Sequence, residues 1–499
     1  MTASRSSLSR AEIVDRLTDL LGADRVDTDA DRLRAASVDR YKKYAAAHGM
    51  LDGPFPAAIA RPATVEQVAA VLRFADEELV NVVPRSGGTA TEGGLETVVE
   101  DSVVLDGSGL DAILDIDPVD MMATVQSGVP LQALEDAVRE LGLTTGHSPQ
   151  SRPLAQLGGL VATRSIGQLS TLYGGIEDLV VGCEAVLPGG TVTRIKPVPR
   201  RAAGPDVRHV VIGNEGALCF ITEVTVMLFP FRPETCRYLG YLVDDFGAGI
   251  EGLRRIVTDG YRPSVCRVYS PQDATQHFGD LTEGRTLVVF VAEGPERLAA
   301  ATAEAIEELF DGVQPVDPSA IEAWFTDLNW GPERLVAERE DMLRRPHLGY
   351  TTEVSCSWSR AAGLYDAVTA RLEREFPRFA DITMLGAHSS HSYQTGTNLY
   401  FVYDYDVRCD PQEELATYHV PINSIVVEEA LRSGGSMVHH HGIGKYRTPW
   451  VHEEHGSAYV LLEGLKQSFD PNGVMNAGTI IPLDGFTDPF DGIPPREEA

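Results

Sequence analysis

This chain of 499 residues is predicted to be α+β, with two sheet-bearing domains, and three features of its pattern predict that class. The apolar run Leu79-Val80-Asn81-Val82-Val83 reads as a buried strand, and it ends in two glycine-rich turns, Pro84-Arg85-Ser86-Gly87-Gly88-Thr89-Ala90-Thr91-Glu92-Gly93-Gly94. Further glycine-rich turns follow at Gly146-His147-Ser148-Pro149, Gly158-Gly159, Tyr173-Gly174-Gly175 and Gly213-Asn214-Glu215-Gly216, most of them leading into an apolar run. That is a pattern of strand, turn and strand with few helices. From about residue 233 strands alternate with helical stretches, as in a sheet covered by helices.

Along the chain, residues 8 to about 50 carry apolar positions at helical spacing, Ile13-Val14, Leu17 and Leu20-Leu21. Pro54-Phe55-Pro56 closes this N-terminal helical segment, 1–56. Thr64-Val65-Glu66-Gln67 reads as an N-cap with Glu and Gln in the first turn, and Val68, Val71, Leu72 and Ala75 share one face of the helix it opens. A first domain is expected over 57–232, ending after Val224-Thr225-Val226-Met227-Leu228. A cap domain with an antiparallel sheet is expected over 233–430. Its strands include Leu287-Val288-Val289-Phe290-Val291 and Asn398-Leu399-Tyr400-Phe401-Val402-Tyr403, and its helices run from Arg297 to Leu309 and from Arg360 to Glu375. The segment 431–499 is expected to return and complete the site, with its tail from Asp484 against the surface.

The formal net charge of −31 argues against a polyanionic partner such as nucleic acid or an anionic membrane. An anionic substrate then requires a locally basic pocket. Hydrophobic content of 43% and charged content of 23% are those of a globular protein. Cys183, Cys219, Cys236, Cys266, Cys356 and Cys409 form no C-x-x-C pair, which predicts reduced thiols rather than a disulfide framework or zinc site. No apolar leader, membrane-length run or peroxisomal address is read, so the expected compartment is the cytoplasm. A homodimer is left open.

Successive N–H groups in turns such as 84–94 form a concave nest for an anion, typically a pyrophosphate. The spacing is not G-x-G-x-x-G and no helix is read after it, so a Rossmann site is disfavoured while a nucleotide remains open. By itself the loop reads equally as surface. Val438-His439-His440-His441-Gly442-Ile443-Gly444-Lys445 holds three successive imidazoles, suited to proton transfer, anion binding or metal ligation. Were the run a strand, at most two of the three would share a side.

Taken in order, the glycine-rich segments resemble the FAD-binding domain of the vanillyl-alcohol oxidase/p-cresol methylhydroxylase superfamily. The resemblance implies FAD, its pyrophosphate wrapped by Pro84, Arg85, Ser86, Gly87, Gly88, Thr89 and Ala90. It further implies that Gly158, Gly159, Thr163, Ser165, Glu215, Gly216 and Ile221 line the rest of the cofactor. Thr89 stands where covalently linked relatives often carry a His, which implies non-covalent FAD.

Within that superfamily, Glu353-Val354-Ser355-Cys356-Ser357-Trp358, His388-Ser389-Ser390-His391-Ser392-Tyr393 and the run His439 to Lys445 resemble the alkylglycerone-phosphate synthase family, over about 57 to 481. The resemblance implies exchange of the acyl group of an acyl-dihydroxyacetone phosphate for a fatty alcohol through a flavin N5 adduct, without net redox chemistry. It implies a small-molecule or lipid-like substrate, with Arg267 beside the flavin to stabilise the departing carboxylate. It also implies that His439, His440 and His441 handle the proton and the phosphate end, and that Lys445 adds charge for the headgroup. Without the resemblance, Arg267 reads equally as a surface salt-bridge partner. The family's acid/base tyrosine falls at Val407 here, leaving Tyr403 or Tyr405 as substitutes.

A competing class from the same superfamily, the flavin dehydrogenases of D-2-hydroxy acids, is similar at His441-Gly442-Ile443-Gly444 and Asp470-Pro471-Asn472-Gly473. Its metal site needs a Glu before the His-Gly and a Gly-Asp-Gly-Asn-x-His segment. His440 and Thr395-Gly396-Thr397-Asn398-Leu399-Tyr400 stand there instead, so no metal is expected. The alternative function is then a metal-free oxidase or dehydrogenase of a small alcohol, hydroxy acid or amine. A flavin-binding protein without catalysis is the third reading.

Overall fold

A computed structural model describes residues 6–483. The expectations for the tail from Asp484 and for the C-terminal address lie outside the described residues. Three main sheets carry the fold. The first has four strands in the order Val26–Asp27, Ala58–Ala60, Val103–Asp106, Val82–Arg85, with the last three parallel. The second is an antiparallel sheet of five, in the order Ile113–Asp117, Met122–Gln126, Phe220–Met227, Val180–Val186, Val192–Ile195. The third has seven antiparallel strands in the order Gln314–Pro315, Arg237–Val243, Thr286–Ala292, Val265–Tyr269, Ile382–Ser389, Gly396–Asp406, His347–Ser357.

Local signals in the sequence account for many elements. Thr64 accepts a hydrogen bond from the Gln67 N–H and caps the helix Val65–Glu77. That helix buries Val68, Val71 and Leu72 with Ile13 and Leu17 of the helix Arg10–Leu21 against Val82 and Val103 of the first sheet. The N-terminal segment is helical as expected but also supplies an edge strand, because Val26 and Asp27 pair with Ala60 and Ile59. The strand expected at 79–83 is displaced to Val82–Arg85, since Leu79 sits in a turn at φ +56°.

The stretch 157–162 departs from the expected strand–turn–strand pattern and is a short helix, Leu157–Ala162. Its two glycines are there for closeness rather than for turning. A Cβ on Gly158 would lie 2.6 Å from the Cβ of Ser127, and one on Gly159 would lie 2.5 Å from the Ser86 hydroxyl. The C-terminal segment returns to the first sheet as a parallel bridge, Val82 N–H donating to the Val474 carbonyl and Asn476 N–H to that of Val82. All six cysteines are unpaired, and no helix among the described residues is long and apolar enough to cross a membrane.

Candidate active site

A cavity of about 1130 Å³ lies between the glycine-rich edges of the first domain and one face of the seven-stranded sheet. Ligand pockets commonly span roughly 300–1,000 Å³, so this one has room for a large cofactor and a substrate beside it. Pro84, Arg85, Ser86, Gly88, Thr89, Ala90, Gly158, Gly159, Thr163, Ser165, Glu215, Gly216 and Ile221 all line it. Gly87 does not; it packs under the loop, where a Cβ would meet the Leu154 carbonyl at 2.4 Å. Among the described residues the N–H groups of Gly87 through Thr91 donate to no protein acceptor. Unpaired donors in a concave loop are a nest for an anion, so the residues fit a dinucleotide pyrophosphate.

The opposite wall is set by strand alternation. In Gly396–Asp406 the residues Tyr400, Val402 and Asp404 face the cavity, while Phe401, Tyr403 and Tyr405 face the helix-covered core. Cross-strand register puts His388 opposite Tyr400 and also opposite Tyr269, with Arg267 two residues along from Tyr269 on the same face. Arg267, His388 and Tyr400 therefore stand together on one wall.

Arg267 is 4% exposed, and among the described residues no carboxylate lies within ion-pair distance of it. Its Nη1 donates to the Tyr269 hydroxyl at 2.8 Å, its guanidinium lies 5.5 Å from the Trp324 ring, and its Nε has no partner. A buried cation at a cavity wall without a counter-charge favours an anionic ligand. His388 stacks on Tyr400 at 4.7 Å, and its Nδ1 lies 2.6 Å from the Asp273 carboxylate. His277 Nε2 is 3.3 Å from the other oxygen of Asp273. Burial and the charge of Arg267 push His388 down to about 4, despite Asp273, so its ring is neutral near pH 7. The neutral ring donates Nδ1–H to the carboxylate and keeps Nε2 as a base, an orientation Asp273 enforces.

The histidine run forms bends rather than a strand, so its three rings are not forced to alternate. The cause is Glu353, fully buried, whose carboxylate accepts N–H hydrogen bonds from His439, His440 and His441 at 2.5, 3.3 and 2.8 Å. Arg447 Nη1 lies 3.4 Å from the same carboxylate and its Nη2 lies 3.1 Å from Glu92. Glu215, at φ +46°, accepts from the N–H groups of Ile443 and Gly444, both at 2.8 Å, and burial pushes its carboxyl up to about 7. His440 and His441 reach the cavity, and His441 lies 3.2 Å from Glu92 and 3.3 Å from the Tyr400 hydroxyl. His439 sits behind them, its Nε2 2.7 Å from the Tyr393 hydroxyl and its Nδ1 2.8 Å from His440 Nδ1. His391 stacks on His439 at 5.2 Å, and ring nitrogens of His391, His439 and His440 lie within 4.8 Å of one another. The spacing of the histidine run does not reveal this cluster, because His391 comes from a different segment.

The structure places three expected site residues away from the cavity. Tyr403 and Tyr405 are fully buried away from the cavity, their hydroxyls bonded to His419 and Glu414 respectively. Their odd parity on the strand turns them into the core, and the tyrosine on the cavity face is Tyr400. Lys445 is also buried and does not line the cavity. Its Nζ donates to Asn476 Oδ1, Thr479 Oγ1 and the Gly94 carbonyl at 2.9, 3.0 and 3.2 Å, tying the C-terminal segment to the glycine-rich loop. Burial lowers it to about 8. Asp273, Glu353 and Glu92 were not singled out as site residues. The two-residue period of 382–389 and 396–406 identifies the cavity face but not the partners behind it.

The description "FAD binding domain" matches residues 56–196 and "FAD linked oxidases, C-terminal domain" matches residues 232–480. The chain is 58% identical over 482 residues to an uncharacterized FAD-linked oxidoreductase, YgcU, of Escherichia coli (strain K12), covering 96% of this chain and 100% of the relative. It is 25% identical over 464 residues to the alkyldihydroxyacetonephosphate synthase of Caenorhabditis elegans, covering 86% of this chain and 76% of that one. The crystal structure of p-cresol methylhydroxylase with substrate bound superposes with a TM-score of 0.73 at 17% identity, over 95% of this chain and 97% of that one.

Proposed function

Given that the chain belongs to the FAD-linked oxidoreductases of the vanillyl-alcohol oxidase/p-cresol methylhydroxylase superfamily, we propose that it is a dehydrogenase or oxidase of a small alcohol carrying an anionic group, such as a hydroxy acid. The observation that carries this reading is the shared wall of Arg267 and His388. A buried guanidinium without a carboxylate partner stands on the same sheet face as a neutral imidazole held by a buried carboxylate. The cation recognises the carboxylate or phosphate of the substrate. His388 Nε2 takes the hydroxyl proton as the carbinol C–H bond breaks, and Asp273 stabilises the imidazolium that results. Bound FAD would supply the two-electron acceptor for the hydride.

Anaerobic addition of hydroxy acids and phosphate-bearing alcohols to the FAD-loaded protein tests this. Lasting bleaching of the oxidised flavin by a member of that class is the expected result. No bleaching by any of them, with bleaching by neutral alcohols or amines instead, would sink the reading.

A second reading is supported by the likeness to alkyldihydroxyacetonephosphate synthase and by the position of Arg267, His440 and His441 at the cavity. It is exchange of the acyl group of an acyl-dihydroxyacetone phosphate for a fatty alcohol. The burial of Tyr403 and Tyr405 in the core removes the two acid/base candidates that reaction was expected to use. Flavin bleaching by the acyl compound that reverses with a fatty alcohol, and with no electron acceptor, would favour the synthase over the dehydrogenase.

A further inference from the structure

We propose that His391, His439 and His440 form a binding site for a divalent transition-metal ion of the zinc class, with its open positions toward the cavity. The three residues come from two segments more than forty residues apart, and a ring nitrogen of each lies within 4.8 Å of the others. Zinc–nitrogen bonds of about 2.0–2.1 Å in a tetrahedron place ligand nitrogens roughly 3.4 Å apart. His439 Nδ1 and His440 Nδ1 are 2.8 Å apart already, so small ring movements complete the set.

The second nitrogen of two rings is already engaged. His391 Nδ1 meets the Ser170 hydroxyl at 2.8 Å, leaving Nε2 for an ion. His439 Nε2 meets the Tyr393 hydroxyl at 2.7 Å, leaving Nδ1. Such outer hydrogen bonds fix ring tautomer and direction at metal sites. Glu353 fixes the backbone of His439 and His440 by accepting their N–H groups. One of its carboxylate oxygens lies 4.0 Å from His440 Nδ1, and the other is paired with Arg447. Three imidazoles suit zinc, cobalt, nickel or copper and do not suit magnesium or calcium, which require oxygen ligands. The set differs from the Glu and second His that the hydroxy-acid dehydrogenases use. His391 and His440 line the cavity, so the remaining coordination positions accept water or a substrate oxygen.

The test reads metal, not turnover, and so stands apart from the reaction proposed above. FAD-loaded protein is stripped with a chelator, incubated with zinc chloride, desalted and analysed for zinc per FAD. The expected result is about one zinc per FAD in the wild type and in the surface control His209→Ala, and less than about a tenth of that in His391→Ala and His439→Asn with FAD content unchanged. Wild-type retention below about a tenth, or equal retention in the variants, overturns the site. It would then leave the His439–His440 contact as an N–H···N hydrogen bond alone. Should the variants lose FAD, cobalt(II) added to the wild type decides: strong visible bands of a tetrahedral nitrogen site beyond the flavin absorption are expected, and their absence overturns the site equally.

Discussion

At the scale of residues, the account rests on Arg267 and the His388–Asp273 pair. Arg267→Met keeps the aliphatic stem and removes the charge, and a hydrogen bond to a charged group contributes about 1.5–3 kcal/mol. The expected result is a 10- to 100-fold loss of kcat/KM, carried mainly by KM, with FAD retained, in steady-state kinetics. His388→Ala removes the base and is expected to lower kcat by about 10²–10⁴. The pH dependence has a definite sign. His388 acts neutral, and burial places its ionisation at about 4, so kcat/KM stays level from pH 8 to 5 and falls as pH drops through about 4. Asp273 raises His388, so Asp273→Asn should move that inflection further down, which a merely structural role would not do. A pH profile of both proteins checks this. Arg267, His440 and His441, expected from the resemblance to be site residues, line the cavity. Tyr403 and Tyr405 were misassigned because a strand read without its two-residue period does not say which tyrosine faces which side. Lys445 was misassigned because a cation near a glycine turn looks the same whether it meets a ligand or three buried oxygens.

At the scale of elements, close approach rather than chemistry explains the glycines. Gly159→Ala would set a Cβ 2.5 Å from the Ser86 hydroxyl, pressing the helix Leu157–Ala162 into the first glycine-rich loop. Overpacking of this kind costs about 1–3 kcal/mol, so FAD content on purification and the melting temperature should both drop. Lys445→Met should lower the melting temperature by taking the Nζ donor from the buried Asn476 Oδ1 and Thr479 Oγ1, at about 1–3 kcal/mol, while the KM for substrate stays near wild type. A raised KM with unchanged stability would return Lys445 to the substrate. Caps and alternation made the helix after Thr64 and the strands around 286–292 and 396–406 legible in advance. The helix at 157–162 was not, because two adjacent glycines read as a turn unless the packing partners, Ser86 and Ser127, are known. The bends at 439–441 were equally hidden, since they depend on a carboxylate 86 residues upstream at Glu353.

At the scale of the whole molecule, buried titratable groups tie stability to pH. Burial holds His147, His388 and His439 near 4 and His391, His419 and His440 well below 6.5. In the unfolded chain these rings take protons once pH falls below about 6.5, while the folded rings do not. Their contribution is therefore present above pH 6.5 and is lost as pH falls toward 4. Asp39, Glu215 and Glu414, raised by burial to about 7, act in the opposite sense, as do Glu177, Glu223, Glu293 and Asp404, which burial also raises. The glycine-rich segments in order made the FAD domain legible from sequence alone. A cap sheet over that domain is expected from the alternation of strands and helices, but its strand order and the face it turns to the cavity are not legible, because register and sheet order are long-range facts. Thr89 offers no attachment chemistry at the first loop, so acid precipitation should leave the protein pellet colourless and the flavin in solution.

Recognition of an anionic alcohol by Arg267 is read from the anaerobic rate of flavin bleaching by two matched alcohols, one bearing a carboxylate or phosphate and one with that group neutralised, in the wild type and in Arg267→Met. The account predicts rapid bleaching by the anionic alcohol in the wild type, a strong preference over its neutral partner, and loss of that preference in Arg267→Met. Equal bleaching by both alcohols in the wild type, or an anionic preference that survives Arg267→Met, would contradict it.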